Sequence, residues 1–341
     1  LAERAWSMQD FSTFLRWSGP VARAIADQSS RYDSSDKLST ADAAFLSRYA
    51  KTMHDTGGFD AVEIERLWEL AAEAGDKDAQ YSLGLWYANM DESGERVESA
   101  RKSNYKKAIH WLMQAGQTGL AKAWYSLFKI CVRPNTGLSQ LSLSDAQRYL
   151  ERAAEGGHCG AQLELGMATW RARRNKEAND VVAAYWLQKA AAQGSGDALA
   201  LLRKIATRAT PAPWAQAAQA QLTFDLVSTY PFLAARVELA ALFGLSLPEA
   251  LLLDLNAADQ GHCLLIDIRS LHARSKRRLI LIETGEERLA LTRIVRHFTN
   301  IDCGPNGPEG NYRQRLYVAQ KLFPVSGMER KAMLKSAVKP I

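Results

Sequence analysis

The chain has 341 residues, 47% apolar and 23% charged, with a net charge of +6 and a pI of about 9.1. This is the composition of an ordinary globular protein that can bury a core, at a length that suits two or three compact units. It excludes a membrane-spanning helix, because the most apolar stretch, Pro231 to Leu255, is interrupted by Arg236, Glu238, Glu249 and Asp254.

Residues 1–58 predict two amphipathic helices, one carrying Phe11, Phe14, Leu15 and Trp17 and the next Ala43, Phe45, Leu46 and Tyr49. They are expected to form an N-terminal helical cap, with a degenerate fifth repeat as the alternative. From residue 59 to 209 the chain repeats itself. Gly75, Gly119, Gly157 and Gly194 are spaced by 44, 38 and 37 residues, a period typical of helical solenoids. Eleven residues before each glycine stand Ile64, Ala108, Ala146 and Ala183; eight before, Leu67, Trp111, Tyr149 and Trp186; four before, Ala71, Ala115, Ala153 and Ala190. Steps of three, four and four residues mark one face of a helix. Four after each glycine stand Ala79, Ala123, Ala161 and Ala198, and eight after, Leu83, Leu127, Leu165 and Leu202, the stripe of a second helix. Each glycine sits where the first helix must stop, since glycine takes the left-handed conformation without steric cost. Asp60 with Glu63, and Ser144 with Gln147, have capping-box spacing.

The stretches LWELAAEAGDKDAQYSLGLWY, AIHWLMQAGQTGLAKAWYSL, AQRYLERAAEGGHCGAQLELG and AAYWLQKAAAQGSGDALALL, within residues 61–208, resemble Sel1-like repeats, relatives of the tetratricopeptide repeat with a longer period. Phe128 and Arg203 stand where Gly84 and Gly166 occur in the other repeats, and the first linker, Asn89 to Asn104, is long. The resemblance implies an α/α superhelix and a non-enzymatic scaffold or adaptor for a protein or peptide partner, with the recurring glycines, alanines and leucines in structural roles. Bacterial proteins of this kind are often exported. With Leu1 in place of a starting Met, the expectation leans to the bacterial periplasm or envelope, with the cytoplasm as the alternative. Trp86, Trp124 and Trp170 are expected in the core, with groove-facing aromatics as the alternative. The basic clusters Arg101, Lys102, Lys106, Lys107 and Arg171, Arg173, Arg174, Lys176 read as solvated surface, given Glu98 and Glu177 beside them.

After Arg208 the prolines of TPAPW mark a linker, and residues 214–341 predict a small α+β domain. Helices are expected over residues 215–229, over Leu233 to Phe243 ending at Gly244, and from Ser246, Pro248 and Glu249 onward. Residues 262–269 and 277–283 predict an antiparallel hairpin, followed by helices from Glu286 to Phe298 and from Tyr312 to Leu322. The fold class is therefore mostly α: a repeat superhelix followed by a small α+β domain with a β-hairpin.

The same region carries +4 of the net charge, against +2 in residues 1–209. Its helices and hairpin resemble a winged helix-turn-helix, with Arg274, Lys276, Arg277 and Arg278 as a basic wing tip able to meet phosphates. The recognition-helix position, PEALLLDLN, is apolar and acidic, which is wrong for a major groove, so nucleic-acid binding stands as the alternative function. Arg313 and Arg315 beside Tyr312 and Tyr317 are a further candidate anion or partner surface. Asp254, Asp267 and Glu283 have the strand placement of a metal nuclease but lack its following lysine. His262, Cys263, His297 and Cys303 follow no zinc spacing. Cys131, Cys159, Cys263 and Cys303 allow three disulfide connectivities, and four unrelated buried thiols is the preferred reading. No catalytic motif, cofactor or metal is predicted.

Overall fold

In the computed structural model Gly75, Gly119, Gly157 and Gly194 all take φ between 90° and 95°, a backbone that L side chains rarely adopt. Each one ends the first helix of a repeat and turns the chain into the second. The structure describes residues 2–31, 38–98, 101–133, 143–206, 211–273 and 275–323. The chain forms two compact units, Leu1–Leu165 and Gly166–Ile341.

The first unit opens with α1 (Ala2–Ser7), α2 (Phe11–Arg31) and α3 (Thr40–Thr56). Phe14, Leu46 and Tyr49 are buried among them, whereas Phe11 and Trp17 are exposed. The repeats follow as α4 (Ala61–Glu73) with α5 (Lys77–Ala88), α6 (Tyr105–Gln117) with α7 (Ala121–Cys131), and α8 (Leu143–Glu155) with α9 (Cys159–Ala172), which spans the division between the units. The signature alanines and leucines are all buried, so the small residues admit close helix approach and the leucines fill the space between pairs.

Local capping differs from repeat to repeat at the residue after each glycine. Asp76 and Ser195 accept the N–H of Ala79 and Ala198 at 2.7 and 3.2 Å, His158 does the same for Ala161 through Nδ1 at 3.1 Å, and Leu120 has no such bond. Asp60 caps α4 through the N–H of Val62, and Ser144 lies inside α8 rather than ahead of it. Gln80 and Gln162, both buried, donate to Ala72 and Ala154 oxygens at 3.1 and 3.0 Å and tie the helices of repeats one and three together. Gly84 permits a close approach: a Cβ there would lie 2.6 Å from Leu112 Cγ, and one at Gly166 2.7 Å from Leu187 Cγ.

The second unit contains the fourth repeat, α10 (Asn179–Ala192) and α11 (Gly196–Ile205), then α12 (Pro213–Ala220), α13 (Phe224–Thr229), α14 (Pro231–Phe243), α15 (Leu247–Leu252) and α16 (Leu255–Ala258). The helix expected over residues 215–229 is broken in two, because Thr223 caps a new start by accepting the N–H of Leu226 at 3.3 Å. Gly244 ends α14 in the left-handed region, and Ser246 with Glu249 forms a capping box. Strands β1 (Cys263–Ile266) and β2 (Arg278–Leu281) pair antiparallel with Cys263 opposite Leu281 and Ile266 opposite Arg278. Helices α17 (Gly285–Arg296) and α18 (Tyr312–Leu322) complete the described residues. Leu239, Phe243, Leu264, Ile266, Ile280, Leu291 and Phe298 share one core, so the fold is mostly α with a small hairpin.

Candidate functional site

Three helices of the first unit and the segment after α5 enclose a pocket of about 620 Å³. Its wall is an aromatic trio from three different helices: His54 on α3, Trp68 on α4 and Trp86 on α5, with ring centroids 5.4–5.5 Å apart. Edge-to-face contacts of this kind set rigid ring orientations. Trp86 is held further by its indole N–H, which donates to Glu65 at 3.3 Å, while the other Glu65 oxygen accepts from the Tyr87 hydroxyl at 2.6 Å. Burial, reinforced by the carboxylates of Glu65 and Glu69, pushes the Tyr87 hydroxyl well above its ordinary value, so it remains a neutral donor.

The long first linker forms the pocket's lip. Asn89 ends α5 in the left-handed conformation and reaches across the linker, its Nδ2 donating to the Arg101 carbonyl at 2.8 Å and Ser103 Oγ at 3.0 Å. Val97 N–H bonds Asn89 O at 3.0 Å, and Asn104 N–H bonds Tyr87 O at 2.8 Å. This brings Arg101 over the Trp86 ring, 3.3 Å from its centroid, where burial lowers the guanidinium's pKa from its usual value. Lys51 and Glu92 pair at 2.6 Å across the rim. The Lys51 partner holds the Glu92 carboxyl below the ordinary range, and Glu92 raises Lys51 despite the opposing effect of burial.

Trp68 is 2% exposed, and its indole N–H has no hydrogen-bond partner among the described residues. A buried donor left unpaired costs roughly 1–3 kcal/mol. Trp86 is half-buried on the pocket wall, so of the three tryptophans expected in the core it and Trp170 depart from that expectation. Trp124 is buried and stacks on Tyr149 with centroids 5.7 Å apart, and Trp170 is half-buried beneath Arg173. The pocket's residues lie far apart in the chain, which hides them from pattern reading. The available signal was the 44-residue first spacing, because insertions in repeat proteins map to loops that often serve binding.

The sequence-predicted basic residues lie in the second unit. Arg277 makes a two-pronged pair with Asp180 of α10 at 2.9 and 2.7 Å and also meets Asp267 at 3.3 Å. Arg278 pairs in the same manner with Glu249 at 3.0 and 2.9 Å. Lys276 is exposed, with no ion pair among the described residues, and Arg274 lies outside them. Arg315 is buried and donates to the carbonyls of Gly310, Leu251, Cys303 and Gly304 at 2.8–2.9 Å, while Arg313 is exposed. Two of the four wing-tip cations are therefore compensated within the fold. Helix α15, at the recognition-helix position, has Glu249, Ala250, Leu251 and Leu252 buried.

Of the remaining candidates, Glu283 and His297 are exposed and the others are held in local roles. Asp254 caps α16, and Asp267, engaged chiefly by Arg269, is lowered to about 2. His262 faces the Val181 and Gln260 carbonyls at 3.0 and 3.1 Å. Burial pushes the thiols of Cys131 and Cys263 up to about 11 and about 12, and the four cysteines form no disulfide among the described residues. Among the described residues no group of three His, Cys, Asp or Glu side chains is placed to hold a metal ion. None of their helices is long and apolar enough to cross a membrane.

No protein-family model and no curated protein matches the chain. Among solved structures, a Sel1 repeat protein from Oxalobacter formigenes is similar at 18% identity with a TM-score of 0.41, over 60% of this chain and 71% of that one. A protective antigen of uropathogenic Escherichia coli with an SLR fold is similar at 18% identity with a TM-score of 0.40, over 89% of this chain and 57% of that one.

Proposed function

We propose that the chain is a non-enzymatic protein-interaction scaffold whose partner docks in the aromatic pocket of its first unit. The observation that supports this reading is the pocket itself. It offers about 620 Å³, walled by Trp68, Trp86 and His54 on rigid helices, and rigid aromatic walls are the common anchors of protein recognition. The repeats supply the frame, since stacked helix pairs hold exposed positions in fixed geometry without using them for the core. The fourth repeat and the C-terminal hairpin act as a second module, joined through the Asp180–Arg277 pair. The alternative of nucleic-acid binding loses support from the internal pairing of Arg277 and Arg278.

The test is capture from the native cell by the intact chain, its Ser82→Trp variant, which fills the pocket, and a Lys276→Glu, Arg313→Glu variant. A partner captured by the intact chain and by the Lys276→Glu, Arg313→Glu variant but lost with Ser82→Trp supports the reading. A partner lost only with the basic residues moves the function to the second unit.

A further inference from the structure

Helix α2 buries one side and leaves a second apolar side open. Phe14, Ser18, Ala22 and Ala26, four residues apart, are all buried and form its inner face. Trp17, Pro20, Val21 and Ala24 stand at i, i+3, i+4 and i+7, which makes another face, and all four are exposed, Trp17 to 50% and Val21 to 51%. The outer side of a surface helix ordinarily carries charged and polar residues, so a contiguous apolar stripe there marks a contact surface. None of these residues lines the aromatic pocket.

The charges beside the stripe decide what fits it. Arg16 and Asp27 are eleven residues apart, about three turns of helix, so they share one flank of the stripe, one toward each end. Arg16 is exposed and has no ion pair among the described residues. Asp27 meets Arg66 at 3.5 Å, long for an ion pair, and its side chain stays 62% exposed. A uniformly acidic or uniformly basic partner matches one end of this flank and opposes the other. A second copy of α2 running antiparallel matches both. A twofold axis across the helix reverses its direction and keeps the flank, so Arg16 of each copy comes beside Asp27 of the other. The midpoint of the two positions falls next to Val21, inside the stripe.

We infer that α2 is a homodimer contact: a second copy of the chain packs its α2 antiparallel on this one across Trp17, Pro20, Val21 and Ala24, flanked by two Arg16–Asp27 pairs. The surface is one helix stripe from each copy, so the dimer is weak, with a Kd on the order of 10 µM.

Sedimentation equilibrium of the intact chain over about 1–200 µM reads the association. A monomer–dimer equilibrium is expected, abolished by Trp17→Glu and by Val21→Glu, with thermal unfolding unchanged because both positions are exposed. Arg16→Asp and Asp27→Arg, each alone, bring like charges together and should weaken the dimer about tenfold. Mixed with each other, the two variants should associate about as tightly as the parent chain. The carboxylate introduced at position 16 then meets the cation introduced at position 27, and the unchanged Asp27 meets the unchanged Arg16. Weakening of each variant alone with rescue in the mixture is the signature of the antiparallel pairing. A dimer that survives both Trp17→Glu and Val21→Glu overturns the inference, as does a mixture that associates no better than either variant alone. A chain that stays monomeric throughout also overturns it, and the stripe then belongs to a different protein.

Discussion

Arg236 donates to both oxygens of Glu309, at 2.8 Å from Nε and 2.6 Å from Nη2, with the two side chains 1% and 7% exposed. The remaining Arg236 donor, Nη1, serves the carbonyls of Ala250 and Leu253 at 2.8 and 2.9 Å. One guanidinium on α14 thereby fixes the end of α15 and the loop before α18. Glu309→Gln would leave a buried cation without its counter-charge and should destabilise the second unit by about 3–5 kcal/mol. Chemical denaturation of the single variant, and of the double Arg236→Met, Glu309→Gln variant, measures this. The double variant is expected to recover part of the loss, because the uncompensated charge is gone.

The Asp180–Arg277 pair should couple the fourth repeat to the hairpin. Both side chains are 15% exposed and meet at 2.7 Å, so screening is partial and a coupling of about 1–3 kcal/mol is expected from a double-mutant cycle with Asp180→Asn and Arg277→Gln. Hydrogen exchange should rise in β2 when either is changed. Exchange confined to the hairpin loop, with no coupling, would reduce the pair to surface decoration.

Gly84 and Gly166 should each resist a methyl group. Gly84→Ala would press a Cβ to 2.6 Å from Leu112 Cγ, and overpacking of this kind costs about 1–3 kcal/mol. Leu112→Ala should be less harmful in that background than alone, since it opens the space the new methyl needs. Thermal unfolding of the two single variants and the double variant gives the comparison.

His158 should make stability fall with acid. Its Nδ1 accepts the N–H of Ala161 at 3.1 Å, which requires the neutral ring, and burial holds its pKa below the ordinary 6.5. Below 6.5 the unfolded chain therefore binds the proton first, and stability declines as pH falls from that value through the lower folded one. His158→Asn keeps an acceptor at the cap and removes the titration. Denaturation from about pH 7 to about pH 5 should show a smaller loss in the variant than in the parent chain.

The repeat frame was legible because its residues act locally. A glycine at positive φ, an alanine under a neighbouring helix and a leucine between pairs recur at fixed offsets, and Gly75, Ala79 and Leu83 illustrate all three. The hairpin and the α18 boundaries were legible for the same reason. The fate of Arg277 was not, since its partner Asp180 lies 97 positions upstream and a basic loop reads the same whether solvated or paired. Trp86 was hidden too. Whether an aromatic beside a signature leucine lies in the core or on a wall depends on where the following segment runs, and that path is set by Asn89, Arg101 and Ser103 meeting across the linker.

The central claim, that a partner docks in the pocket of the first unit, is tested most directly by photo-crosslinking in the native cell. A photoreactive residue is placed in the intact chain at Val97 on the pocket lip, and in a second version at Tyr317, which is 67% exposed on α18. The account predicts one discrete protein adduct from position 97, abolished by Ser82→Trp, and none of the same mass from position 317. An adduct from position 317 alone, or one at position 97 that survives filling of the pocket, would contradict it.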